Sequence, residues 1–145
     1  MPVEANKAVV RAYFDAVNAS DCAAILALTS DDFVFTTMAR APAHLQIEWG
    51  REAFSQAPPA MSALMKAPIQ LEVAGMIGEA DTVTVEAATD GEMLDGRRYN
   101  NAYHFVFELS EEKLRRVREY SCSYLAQTCF GAVDPDDPDA SKMAD

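Results

Sequence analysis

RVREYSCSY, residues 116–124, decides how the second half of this chain folds. It sets one acidic residue, Glu119, among arginines and aromatics, and two periodicities compete for it. On a helical period Leu114, Val117, Ser121, Tyr124 and Leu125 share a face. Glu111 and Glu112 then pair with Arg115 and Arg116 one turn on, and Glu119 faces water. On a strand period Val117, Glu119, Ser121 and Ser123 lie on one face, opposite Arg116, Arg118, Tyr120, Cys122 and Tyr124. The residue types favour helix. Local context favours strand: a long alternating run ends at Leu109, and Ser110-Glu111-Glu112 is the length of a hairpin loop. Pattern alone leaves both readings open.

Upstream of that loop, Tyr99, Asn101, Tyr103, Phe105, Phe107 and Leu109 fall on one face of an alternating strand that follows the turn signal Asp95-Gly96. Ile69–Val73 and Thr82–Ala87 read as a hairpin, with Gly75, Gly78 and Asp81 between them. The first half is helical in period. Val10, Tyr13, Phe14 and Val17 form the apolar stripe of a helix over residues 3–18, and Ser20 or Asp21 caps a short second helix carrying Ile25, Leu26 and Leu28. The polar run Thr29-Ser30-Asp31-Asp32 ends it, and Phe33-Val34-Phe35-Thr36-Thr37 is a β-branched, aromatic strand. After a loop over residues 39–49, a third helix starts near Gly50-Arg51-Glu52. Pro58-Pro59 removes two amide donors and is expected to kink or split it ahead of Met61, Leu64 and Met65. Helices first and strands later give an α+β fold.

The bulk composition excludes several classes. With 145 residues, 50% hydrophobic and 24% charged, the chain has the make-up of one globular domain, expected over residues 1–130. An acidic stretch at 131–145 is expected to be disordered. A net charge of −11 and a single basic cluster argue against nucleic acid. Cys22, Cys122 and Cys129 form no CxxC pair, and His44 and His104 are far apart in sequence, so neither a disulfide framework nor a metal site is expected. No signal peptide and no membrane-spanning stretch is visible, and the default expectation is a soluble cytoplasmic protein.

The order Tyr13-Phe14-Asp15-Ala16-Val17-Asn18, Ser30-Asp31-Asp32-Phe33-Val34-Phe35 and Gly50-Arg51-Glu52 resembles the nuclear-transport-factor-2-like (NTF2-like) superfamily, in its SnoaL-like and ketosteroid-isomerase-like branches. Gly96-Arg97-Arg98-Tyr99-Asn100-Asn101, Tyr103-His104-Phe105-Val106-Phe107-Glu108 and Val117-Arg118-Glu119-Tyr120 continue the likeness. With Lys113-Leu114, residues 117–120 resemble its final strand, and the closing residues 125–130 resemble its C-terminal residues. The resemblance covers about residues 5–130 and implies a cone: three N-terminal helices on a strongly curved, mostly antiparallel sheet around an apolar pocket, often in a homodimer. It turns residues 116–124 into a strand and aims Glu119 inward.

What that resemblance implies about chemistry is narrower. Tyr13 falls where the isomerase branch keeps a tyrosine that donates to a developing enolate oxygen. The branch's aspartate base would fall at Thr37 and its second acid near Phe105, so ketosteroid isomerisation is disfavoured. Glu119 falls where epoxide-hydrolase-like branches keep a pocket carboxylate, which makes it the candidate acid or base. The hydrolase's Arg/Asp set is not evident. Asn101 would either orient a ligand carbonyl or bond Glu119, and Glu119 would either move a proton or accept bonds from Asn101 and Tyr13. Val17, Phe35, Thr37, Trp49, Phe54, Met61, Met65, Val85, Tyr103, Phe105, Val117 and Ser121 complete the expected ligand-binding set. The expectation is a small apolar or aromatic ligand, with no cofactor. The protein would be either an isomerase-, cyclase-, dehydratase- or hydrolase-type acid/base enzyme or a non-catalytic ligand-binding or dimerisation module.

Overall fold

The computed structural model describes residues 2–131; the acidic tail expected beyond Gly131 lies outside them. Helix α1 (Val3–Asn18) buries Val10, Tyr13, Phe14, Ala16 and Val17, the stripe its period requires. Its last turn closes on Ser20 in the left-handed region (φ 52°), with the Asp21 amide reaching back to the Ala16 carbonyl. Asp21 then caps α2 (Cys22–Leu28) by accepting from the Ala24 amide at 3.1 Å. Strand β1 (Thr29–Thr37) begins within the polar run. A 3₁₀ turn (Ala43–Leu45) and the short β2 (Glu48–Trp49) lie in the loop that follows. Helix α3 (Arg51–Ser62) then runs through Pro58 and Pro59 as a single element. The expected split does not occur. Phe54 and Pro58 are both buried there, so tertiary packing holds a helix that propensity alone would break.

Strands β3 (Glu72–Glu79) and β4 (Thr82–Ala88) form a hairpin shifted from the expected one, with Gly75 and Gly78 inside β3 rather than in its turn. Gly78 is needed where it stands: a Cβ there would come within 2.6 Å of the Val3 side chain on α1. The residues expected to begin β3, Ile69–Leu71, lie outside the strand and are held by side chains. The Asn18 side chain accepts from the Leu71 amide (2.7 Å) and donates to its carbonyl (2.9 Å), replacing a strand neighbour. A two-stranded ribbon, β5 (Gly91–Glu92) and β6 (Arg98–Tyr99), turns at Gly96 (φ 93°). Strands β7 (Ala102–Ser110) and β8 (Lys113–Ser121) make the last hairpin, and α4 (Ser123–Phe130) ends the described chain.

The six-stranded sheet has the order β2-β1-β8-β7-β4-β3, antiparallel throughout except between β1 and β8. Residues 113–121 are therefore a central strand paired on both edges, and the helical reading of this stretch fails. The turn before them puts Glu111 (φ 52°) and Glu112 (φ 59°) both in the left-handed region, the backbone of a two-residue hairpin turn usually given to Asn-Gly. Register breaks in β1, β3 and the β7–β8 pair bend the sheet. Its concave side packs on α1 and α3 around a core in which Phe107, Val83, Val85, Leu114 and Val117 are fully buried. Among the described residues four helices on a mostly antiparallel curved sheet form the cone, one helix more than expected. Residues 123–130, read as strand and C-terminal residues, are that fourth helix.

Candidate functional site

Alternation along β7 and β8 decides which side chains enter the cone. Phe105 lies opposite Glu119 and Tyr103 opposite Ser121, while Thr37 on β1 is the parallel partner of Glu119. Their inward side chains line a cavity of about 220 Å³. Tyr13 and Val17 of α1, Phe54, Pro58 and Met61 of α3, and Phe130 of α4 close it. Phe35 and Trp49 stack at 5.5 Å on the same wall, and Phe54 stacks on Tyr13 at 5.3 Å.

Among the described residues Glu119 is the one carboxyl group on this wall. It keeps part of its surface open to the cavity while lying deep in the protein, and desolvation pushes its pKa up to about 7. Among the described residues no hydrogen bond or cation offsets that cost. Three phenols lie within its electrostatic reach: those of Tyr13, Tyr99 and Tyr103. Burial raises the pKa of all three, that of Tyr99 to about 12, and the Glu119 charge adds to the rise. They stay protonated across the physiological range and can only donate or accept hydrogen bonds.

Asn101 is fully buried at the start of the β7 segment, and its amide is committed. Its Oδ1 accepts from the Cys122 amide at 3.0 Å, which fixes the Nδ2 as donor to the Cys122 carbonyl (3.3 Å) and to the Tyr99 hydroxyl (3.0 Å). Asn101 thus neither bonds Glu119 nor lines the cavity. It ties the end of β8 to β6 and holds Tyr99, whose hydroxyl bonds that of Tyr103. Either phenol can donate in that pair, and both rings line the cavity; when Tyr99 donates, the Tyr103 hydroxyl has its proton for a guest there. Tyr103 is held flat against Phe105 (5.3 Å, 7°).

Of the expected ligand-binding set, Val17, Phe35, Thr37, Trp49, Phe54, Met61, Tyr103, Phe105 and Ser121 lie on the cavity wall with Glu119 and Tyr13. Met65, Val85 and Val117 do not. Met65 follows α3 and bridges to Met93 beside the ribbon, and Val85 and Val117 are sealed in the core. Thr37 faces the cavity, but its hydroxyl pins the loop over residues 38–47, donating to the Leu45 carbonyl and accepting from the Ile47 amide at 2.7 Å. That loop brings Ala39, Leu45 and Ile47 to the wall, and its His44 bonds Gln127 of α4. Tyr99, Ile69, Leu71, Ala126 and Phe130 also line the cavity and were not anticipated. The alternation that placed Tyr103 inside already put Tyr99 on the same face. For Phe130 the spacing from Ala126, one helical turn, was the available signal. Among the described residues no group of three or more His, Cys, Asp or Glu is placed to hold a metal ion, and no helix is long and apolar enough to cross a membrane.

This architecture and its sequence coincide with a known family. The chain belongs to the SnoaL-like domain family, whose model matches residues 10–117. No curated protein matches it in sequence. Among solved structures it is similar to a proposed isomerase from Bacillus subtilis, at 20% identity and a TM-score of 0.75 over 91% of this chain and 98% of that one. It is similar to an LEH-like epoxide hydrolase from M. tuberculosis, at 15% identity and a TM-score of 0.69 over 84% and 86% of the two chains. A third likeness is to IdmH, a proposed polyketide cyclase from Streptomyces antibioticus, at 13% identity and a TM-score of 0.70 over 88% and 99%. Likenesses this distant carry the fold, which hosts several chemistries, and leave the activity to the site.

Proposed function

We propose that the protein is a cofactor-independent acid/base enzyme acting on a small, neutral, largely apolar carbonyl compound, with Glu119 as the group that moves the proton. The observation that carries this reading is a carboxyl group on an aromatic cavity wall with no partner among the described residues and a pKa pushed up to about 7. Such a group is half ionised near neutral pH, so it can take a proton and return it in one cycle. In the reaction, the Glu119 carboxylate removes a proton from the carbon next to the carbonyl, and the electron pair moves onto the carbonyl oxygen. Tyr103, backed by Tyr99 and Asn101, donates a hydrogen bond to the developing oxyanion; Tyr13 offers a second phenol on the opposite wall. The Glu119 carboxylic acid then returns the proton to the same or a conjugated carbon. Isomerisation, cyclisation and dehydration all begin with this step.

The test is exchange of the α-protons of 2-cyclohexen-1-one and related cyclic ketones into deuterated water, followed by NMR. Glu119→Gln is expected to slow enzyme-dependent exchange by roughly 10²–10⁴-fold, and Tyr103→Phe by less. Full exchange by Glu119→Gln sinks the assignment. A second reading, a ligand-binding module without turnover, has one observation in its favour. Thr37 stands where a second carboxylate would serve and spends its hydroxyl on the loop, and Phe105 offers no acid. On that reading Glu119→Gln alters stability and binding, and wild-type protein exchanges no protons above the buffer rate.

A further inference from the structure

The cavity has a charge character that acid/base chemistry on a neutral ketone does not use. Among the described residues no lysine, arginine or histidine lines it, and the one lining group that ionises below pH 9 is Glu119. Eight of the lining residues are aromatic. Tyr13 stacks with Phe54, Phe35 with Trp49 and Tyr103 with Phe105, so the lining that holds the carboxyl group is built largely of aromatic rings. A carboxylate held there is an uncompensated buried charge, and the aromatic faces carry negative quadrupoles that do nothing to relieve it. A cation with a greasy surface relieves both at once: it pairs with the carboxylate and sits against the rings. The arginines of the same strand cannot take this role, because Arg116 and Arg118 are outside, against Glu108. The net charge of −11 draws cations toward the molecule and repels anions. At about 220 Å³ the space is below the roughly 300–1,000 Å³ of sites for drug-sized ligands, which restricts the guest to a compact one.

We infer that the cone is a binding site for compact alkylammonium cations, seated between Glu119 and the aromatic walls. The site discriminates ligands of equal shape by charge, in the order cation, neutral, anion. The inference concerns the same cavity as the proposed activity but rests on its charge and lining, not on turnover. The groups that face Glu119 are Thr37 from β1, Phe105 and Tyr103 from β7, Tyr99 from β6 and Tyr13 from α1. The phenols among them keep their protons in this range, so Glu119 alone changes the charge of the site between pH 5 and pH 9. Cation binding therefore strengthens as pH rises through the Glu119 midpoint near 7 and levels off above it.

Three probes of nearly one shape test this: choline, its neutral carbon isostere 3,3-dimethyl-1-butanol, and the anion 3,3-dimethylbutyrate. Trp49 is the only tryptophan of the chain and lines the cavity, so its fluorescence reads occupancy directly. At pH 8 choline is expected to bind at least about tenfold more tightly than the alcohol, with the butyrate weaker still. At pH 5 the choline advantage shrinks to about threefold or less. Glu119→Gln is expected to bring the choline-to-alcohol ratio down to its wild-type value at pH 5 and to make it independent of pH. Should that variant fail to fold, the wild-type comparison between pH 5 and pH 8 still decides. Equal or tighter binding of the alcohol at pH 8, or a roughly tenfold choline preference that survives Glu119→Gln, overturns the inference. Proton exchange on a ketone without any choline preference overturns it while leaving the acid/base reading intact. A choline preference without exchange does the reverse.

Discussion

Glu108 and Glu119 stand on opposite faces of the β7–β8 hairpin and meet opposite fates. Glu108 looks outward and gathers Arg118, Arg115 (3.3 Å) and Arg116 (4.0 Å) around one carboxylate. Glu119 is one residue beyond Arg118, and parity turns it inward, where none of those arginines can follow. The same side chain is thus a shared anchor for surface charge in one place and an unpaired acid among aromatic rings in the other. The difference lies in the strand, not in the residue, because a two-residue period separates neighbours by the whole thickness of the sheet.

The comparison can be broken most forcefully at Glu119. Its folded pKa of about 7 lies above the unfolded value of 4.5, so the native state holds a proton over that window which the unfolded chain releases. The stabilisation is complete below pH 4.5 and is lost as pH rises through 7. A shift of that size corresponds to on the order of 3 kcal/mol. Urea unfolding should therefore show Glu119→Gln matching wild type near pH 4.5 and exceeding it by about that amount at pH 8. Equal pH slopes for the two proteins would mean that the carboxylate is solvated or paired after all.

Asn101→Ala comes next. It strands the Cys122 amide and carbonyl and leaves Tyr99 without its donor, so a loss of about 2–4 kcal/mol is expected at pH 5 and pH 8 alike. A loss confined to one pH would tie Asn101 to the Glu119 charge instead. Tyr99→Phe removes only the middle of the relay and should cost about 1 kcal/mol in stability while slowing ketone exchange, which separates positioning of Tyr103 from simple packing. Glu108→Gln is expected to do least. Its partners Arg115 and Arg116 are half-exposed and Arg118, the nearest, is still partly exposed, so stability should change by only about 1 kcal/mol and the change should fade in high salt. A larger, salt-resistant effect would erase the contrast between the two faces.

Much of the fold was legible because its signals are local. The stripe of α1, the Asp21 cap, the turn at Gly96 and the alternation from Tyr103 to Leu109 need only neighbours in sequence, and each is where the pattern put it; Tyr99, expected on the same strand, lies in the separate ribbon strand β6. The shifted start of β3 was hidden, since Leu71 takes its partner from Asn18, fifty-three residues away. The fourth helix was hidden as well. Its anchors are the Asn101 clamp on Cys122, the His44 bond to Gln127 and the Arg97 bond to the Thr128 carbonyl, all from distant segments. Of the candidate site, Glu119, Tyr13 and Tyr103 followed from parity and resemblance. The role of Asn101 did not, because the direction of a side-chain amide depends on which backbone groups fold against it.

Residues 116–124 show the division most clearly. The sequence by itself determined that Glu119 and Val117 share a face if the segment is extended, and that the arginines then take the other. It also presented Leu114 and Val117 three apart, a spacing that reads as helix. Tertiary structure alone decided the matter: β7 and β1 supply hydrogen-bond partners on both edges, and a register break between Glu108 and Leu109 lets Arg115 bulge out so that Leu114 and Val117 both point into the core. A bulge costs one residue of period and leaves no mark in composition. Its position is fixed by the partner strand, and with it the face on which Glu119 ends.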